Sequence, residues 1–186
     1  MTAFARIALV PMAALLVSAT SSARVIPLPK GEGEALVVPV NSPVRFRGFG
    51  RYDVARFAGR FVLTGTFIYG CEIECEPPLQ ADEVFVRIVP DAASTGVLPR
   101  WKFRNDNMRI YLVGGERLAQ AIVTPREKAA LLAGKVEDVR KQVAIVVDDY
   151  SAGIECDSAS YSARYVALAK PVRLASAKVE GDFGCG

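Results

Sequence analysis

The stretch VRFRGFGRYDVARFAGRFVLTGTFIYG, Val44 to Gly70, decides the fold class. Its second half alternates. From Phe61 the odd positions are Phe61, Leu63, Gly65, Phe67 and Tyr69, while the even positions include Thr64 and Thr66. Successive side chains of a strand point to opposite faces, so a period of two predicts a half-buried strand with one apolar face. The alternation carries on through Cys71, Ile73 and Cys75. Aromatic and β-branched residues fill the rest of the stretch, as strands prefer. A strand such as GRFVLTGTF is generic to small barrels and assigns no function by itself.

Reading outward toward the C-terminus, EPPLQAD (76–82) is a loop, EVFVRIV (83–89) is the next strand, and PDAASTG (90–96) closes it. WKFR (101–104) and RIYLV (109–113) read as strands around an Asn-Asp-Asn turn, and Gly114-Gly115-Glu116 reads as the turn of a hairpin into RLAQAIV (117–123). TPREKAALLAG (124–134) predicts a helix. Thr124 is the N-cap, Pro125 is N1, Glu127 at N3 completes a capping box, and Gly134 suits C′. KVEDVRK (135–141) reads as an irregular extension of that helix. QVAIVV (142–147) is a strand expected to be buried on both faces, DDYSAG (148–153) a turn, and IECDS and SARYVALAK strand-like. The Gly-rich tail EGDFGCG depends on Cys185 for anchorage. The prediction is a mainly β domain, a barrel or sandwich of about eight to ten strands with one short helix near 125–133. An α+β arrangement is the second choice, and the absence of βαβ alternation argues against a doubly wound sheet.

Reading toward the N-terminus, residues 24–43 form a lead-in whose Pro27, Pro29, Pro39 and Pro43 exclude a helix; ALVVPV within it reads as an edge strand. Residues 1–23 carry Arg6, an apolar stretch from Ile7 to Val17, and Ser21 and Ala23 at −3 and −1 of a cleavage site. That pattern predicts a secretory signal peptide. The apolar run is shorter than the roughly 20 residues a membrane span needs, and Pro11 interrupts it. Cleavage after Ala19 is the alternative site. No Cys lies near either site, so a lipoprotein is not expected. The expectation is a periplasmic or extracellular protein with residues 44–186 as one domain and no transmembrane segment after cleavage.

The four cysteines, Cys71, Cys75, Cys156 and Cys185, make an even set that an exported chain would use as two disulfides. An extended strand holds residues four apart at about 13 Å, beyond disulfide reach. A Cys71–Cys75 bond therefore requires a turn, which Gly70 permits. The leading pairing is Cys71–Cys75 with Cys156–Cys185; the rival is Cys75–Cys156 with Cys71–Cys185. Ile-Glu-Cys occurs at 73–75 and again at 154–156, four residues after Tyr69 and Tyr150. A shift of 81 residues superposes the strings and aligns Val62 with Val143 and Pro90 with Pro171. Duplication of a hairpin and chance both fit, and either reading puts each of Cys75 and Cys156 just after a turn, at the start of a second strand. Acids flank the sulfurs, which argues against a reactive thiolate.

The chain has no His. That excludes Ser-His-Asp and Cys-His hydrolases, His-ligated zinc and His-ligated haem. No catalytic residue, metal site or cofactor is predicted. Net charge is +3, too mild to imply a polyanion by itself. The charged feature is local: Arg45, Arg47, Arg51, Arg56 and Arg60 interleave with aromatics against one acid, Asp53, and Arg100, Lys102 and Arg104 flank Trp101 and Phe103. Guanidinium groups pair with phosphate and carboxylate while rings stack or pack, so Arg45, Arg47, Arg51 and Arg104 are the candidate anion face. The bland reading is the solvent face of strands whose other face is Phe and Val. Outside the cytoplasm the partner would be an anionic envelope component or a protein, not nucleic acid. The expected function is a non-catalytic, envelope-associated binding or structural domain. The alternative is a hydrolase of a cell-envelope polymer working through carboxylates among Asp148, Asp149, Glu155 and Asp157.

Overall fold

A computed structural model describes residues 23–29, 34–71, 75–102, 108–155 and 158–169. Residues 1–22 of the expected signal peptide, Arg104, Cys156, Asp157 and Cys185 therefore lie outside the described residues, as does the side chain of Glu155. In chain order the elements are β1 (Arg24–Pro27), β2 (Ala35–Val38), β3 (Arg45–Phe49), a single 3-10 turn (Arg51–Asp53), β4 (Ala55–Ala58), β5 (Phe61–Gly70), β6 (Phe85–Pro90), α1 (Ala92–Thr95), β7 (Arg100–Trp101), β8 (Ile110–Val113), α2 (Gly115–Ile122), α3 (Pro125–Leu132), β9 (Asp138–Glu155) and β10 (Ser158–Leu168). The protein is β-rich with short helices, as its patterning predicts.

The larger sheet runs β10-β8-β6-β5-β9-β4-β3, and β10 pairs again with β9. That extra ladder closes β5, β6, β8, β10 and β9 into a five-stranded barrel. All its ladders are antiparallel except β8 with β10. Taken in chain order, the first, second, third, fifth and fourth barrel strands are neighbours in the ring, and helices separate the third from the fourth. This Greek-key connectivity is that of an OB-type barrel, a class that hosts many unrelated functions.

The alternation in β5 holds: Phe61, Leu63, Phe67 and Tyr69 face inward and are buried, while Val62 is 54% exposed. At Gly65 the strands pass so closely that a β carbon would overlap the Val89 carbonyl oxygen. β5 ends at Gly70, so the expected continuation to Cys75 stops short, and Cys75 sits in the loop well before β6 rather than at the start of a strand.

β9 departs from expectation in three ways. It begins at Asp138, inside the stretch assigned to a helix extension. Gly134 stops α3 in the left-handed conformation (φ 68°), and the Gly134 and Lys135 N–H groups cap Leu131 and Ala130 carbonyls at 2.9 Å each. Its apolar run buries one face, with Val143, Ile145 and Val147 inward and Ala144 and Val146 only half-buried. It then continues through the expected turn at Asp148–Gly153. Ser151 pairs with Ser162 and Asp148 with Arg164, so Asp149 and Tyr150 stand opposite Ala163 alone. This bulge, with Asp149 at φ 50°, switches the inward set from odd to even positions: Tyr150 and Ala152 are fully buried. A phase change inside one strand reads in sequence as a turn.

The expected second strand of a hairpin, RLAQAIV, is α2. It buries Leu118, Ala119 and Ile122 at helical spacing. Seven residues are too few to separate a period of two from one of 3.6, and the preceding Gly114-Gly115 imitates a hairpin turn. α3 has the predicted capping box, with the Thr124 hydroxyl accepting from the Glu127 N–H and the Glu127 carboxylate accepting from the Thr124 N–H.

The lead-in is part of the core. β2 is the centre strand of a three-stranded sheet, β1-β2-β7, rather than an edge. Ile26, Leu36 and Val38 are buried, as is Trp101 of β7. The Trp101 indole donates to the Gly153 carbonyl (2.9 Å), and the Tyr150 hydroxyl donates to the Pro99 carbonyl (2.7 Å). The small sheet is thereby tied to the barrel by polar groups that burial obliges to pair.

Candidate functional site

The sequence places its cationic candidates on the β3–β4 hairpin, which extends the barrel wall from β9. Phe46 and Phe57 pair across the hairpin and turn inward, with ring centroids 5.6 Å apart; Phe46 also meets Phe49 at 5.2 Å. Phe57 continues to Tyr150 at 5.6 Å, and Tyr150 to Tyr161 at 6.3 Å. The ring series anchors the inner face. Arg45 and Arg47 alternate with Phe46 and project from the exposed outer face. Arg56 on β4 is exposed and stands opposite Gly48, where the ladder shifts register. At the tip, the Arg51 guanidinium lies 4.7 Å from the ring centre of Tyr52, which is 78% exposed.

Among the described residues these arginines have no counterion. Ion pairs among the described residues join Arg60 and Arg164 to Asp148, Arg164 to Asp149, Arg140 to Asp138 and Lys141 to Glu127. None reaches Arg45, Arg47, Arg51 or Arg56. Three of the four predicted face residues thus belong to one hairpin. The fourth, Arg104, lies outside the described residues. Arg56 joins them because it faces the same solvent side, which its sequence interval of nine from Arg47 does not reveal.

The acids proposed for hydrolysis are differently placed. Asp148 is 9% exposed and accepts from Arg164 Nε at 2.9 Å and Arg60 Nη2 at 3.3 Å; Asp149 holds Arg164 Nη2 at 2.8 Å. Both sit on β9, Asp149 in the bulge and Asp148 at the ladder position before it, rather than on a turn, and both are engaged by guanidinium groups. Tyr150 beside them is fully buried, and burial first, then the neighbouring Tyr161, pushes its phenol well above the ordinary range. It serves as a neutral donor. Among the described residues no group of three or more Cys, Asp or Glu is arranged to hold a cation.

Cys71 and Cys75 form a disulfide with Cα atoms 6.2 Å apart. That separation is far below the roughly 13 Å of an extended strand, as the leading pairing requires, and this bond excludes the rival connectivity. The expected second pair, Cys156 and Cys185, lies outside the described residues.

Two further features have no counterpart in the sequence reading. A groove of about 360 Å³ lies between residues 81–86 and the helices, lined by Tyr69, Val84, Phe85, Leu112, Ala119 and Lys128 among others. Beside α1, the Thr64 hydroxyl donates to Asp91 (2.6 Å), and Asp91 caps the Ser94 N–H (2.8 Å). These bonds, led by that from Thr64, hold the Asp91 carboxyl below its usual range. The cluster locks α1 onto β5.

No family model, curated protein or solved structure matches the chain. Among the described residues no helix is long and apolar enough to cross a membrane.

Proposed function

We propose that this is an exported, non-catalytic binding domain of the cell envelope that takes an extended anionic ligand along the outer face of the β3–β4 hairpin. The observation that carries the reading is the grouping of Arg45, Arg47 and Arg56 on one exposed surface with no ion pair to a carboxylate among the described residues. Charged strand faces usually interleave both signs; a single-sign face over a rigid aromatic layer is arranged for an outside anion. Arg51 and Tyr52 at the tip add a ring and a cation to the same element. The ion pairing of Asp148 and Asp149 supports a non-catalytic reading, because carboxylates committed to arginines are poorly placed to shuttle protons.

Retention on an immobilised sulfated polysaccharide tests the reading. The secreted domain should be held at low salt, and elution should move to clearly lower salt in the triple variant Arg45→Gln/Arg47→Gln/Arg56→Gln, while Arg140→Gln elutes with the parent. Counterion release makes each lost contact lower the salt dependence by about one unit of slope. No retention of the parent, or unchanged elution of the triple variant, overturns it.

A further inference from the structure

A second cation stands apart from the hairpin. Arg87 projects from the outer face of the barrel on β6, paired with Ile68 on one side and Tyr111 on the other. The next outward residue along β6 is Phe85, 45% exposed, and the next along β8 is Val113, 59% exposed. Ile68, although outward, is only 7% exposed, so the side chains around it lie over the sheet. Beyond Ile68 comes Arg140, which Asp138 holds through three contacts of 2.8–3.0 Å.

Among the described residues Arg87 has no such carboxylate. Its Nε and Nη1 atoms are buried without a hydrogen-bond partner. Buried donors are nearly always paired, and a cation's donors are the costliest to leave unmet. The third nitrogen, Nη2, is not among these buried, unpartnered donors. Nε and Nη2 share one edge of the guanidinium, so an acid that meets Nη2 from solvent binds side-on and satisfies Nε as well once the side chain shifts to uncover that edge. At neighbouring positions of the same outer face the sheet carries apolar residues: Tyr111 opposite Arg87 on β8, Val113 two residues further along β8, and Phe85 two residues earlier on β6.

We propose that Arg87 is the anchor of a ligand site for a small amphiphilic acid, which places its carboxylate on the guanidinium and its apolar body against Phe85, Tyr111 and Val113. A fully hydrated anion such as acetate gains only the ionic contact. An aromatic or alkyl carboxylate gains the apolar burial too. The site is independent of the β3–β4 face and does not rest on it.

The test uses the secreted chain with benzoate, hexanoate, acetate and benzyl alcohol at constant ionic strength. The readouts are the NMR signal of the Arg87 Nε–H and the thermal midpoint. Benzoate and hexanoate should shift the Nε–H signal saturably and raise the midpoint, acetate should act more weakly, and benzyl alcohol should leave the signal in place. Arg87→Met should weaken benzoate binding about 10- to 100-fold, the usual worth of a charged hydrogen bond. Its midpoint should stay level or rise, because an unpaired buried cation is removed. Arg87→Lys keeps the charge but loses the planar fork, so it should fold and bind benzoate weakly. An Nε–H signal that benzoate does not move, or undiminished binding in both variants, overturns the proposal. The triple hairpin variant should bind benzoate as the parent does, so the hairpin reading and this one can fail separately.

Discussion

At the scale of single residues, Gly65 and Tyr150 show how little tolerance the barrel has. The close approach of β6 at Gly65 leaves no room for a β carbon, since the obstacle is the Val89 carbonyl rather than a movable side chain. Gly65→Ala should therefore cost about 2 kcal/mol or more, read as a lower urea midpoint with an unchanged slope. A midpoint equal to the parent's would mean that β5 and β6 separate easily there. The glycine is visible in the sequence, but its reason is not, because the obstructing atom comes from a strand 24 residues away. The same holds for Arg45, Arg47 and Arg56. Their alternation with Phe46 and Phe57 is legible, whereas their lack of counterions among the described residues depends on where Asp148 and Asp138 spend their charge.

At the scale of elements, α3 was readable because its signals are local: cap, capping box, N1 proline and C′ glycine all lie within eleven residues. What the sequence does not reveal is that the capping glutamate has a second task. Lys141 faces inward on β9 and is 6% exposed, and its ammonium donates to Glu127 at 2.9 Å. Burial pushes the Glu127 carboxyl up, but the Thr124 N–H, the Lys141 ammonium and the Thr124 hydroxyl together outweigh it, and the net position is below the ordinary range. Asp91 is depressed as well. A carboxyl whose folded value lies below its unfolded value stabilises above the unfolded value, near pH 4 for these groups, and loses that contribution as pH falls through the folded one. Stability should therefore drop on acidification below about pH 4. Glu127→Gln should cost about 1.5–3 kcal/mol at neutral pH and flatten the acid limb in denaturant titrations at successive pH values. An acid limb as steep as the parent's would remove Glu127 from the account.

At the scale of the whole molecule, the barrel and the small sheet share one apolar core. Leu36 at the centre of the small sheet is fully buried. Truncating it to Ala should cost about 2–5 kcal/mol and lower the midpoint of one cooperative transition. If the two sheets were separate units, tryptophan fluorescence, which reports Trp101 in β7, would move to lower denaturant while far-ultraviolet circular dichroism from the barrel stayed put. The expected result is that both move together, because Trp101 and Tyr150 bond across the junction.

The sequence by itself determined the β-rich class, the first barrel strand, the capped helix and the exclusion of histidine chemistry. Each of these rests on interactions within about a dozen residues, or on composition. Only the tertiary structure decided the rest. β9 is one strand of 18 residues with a bulge, not a strand, a turn and another strand. Barrel closure depends on β10 meeting both β8 and β9. The lead-in belongs to the core because Trp101 and Tyr150 are there to receive it. Arg87 matters because the sheet surrounds it with Ile68 and Tyr111 and provides no acid. The common cause is that pairing partners far apart in the chain set the burial and charge of each position, and alternation along one strand records which way a side chain points but not what it finds there.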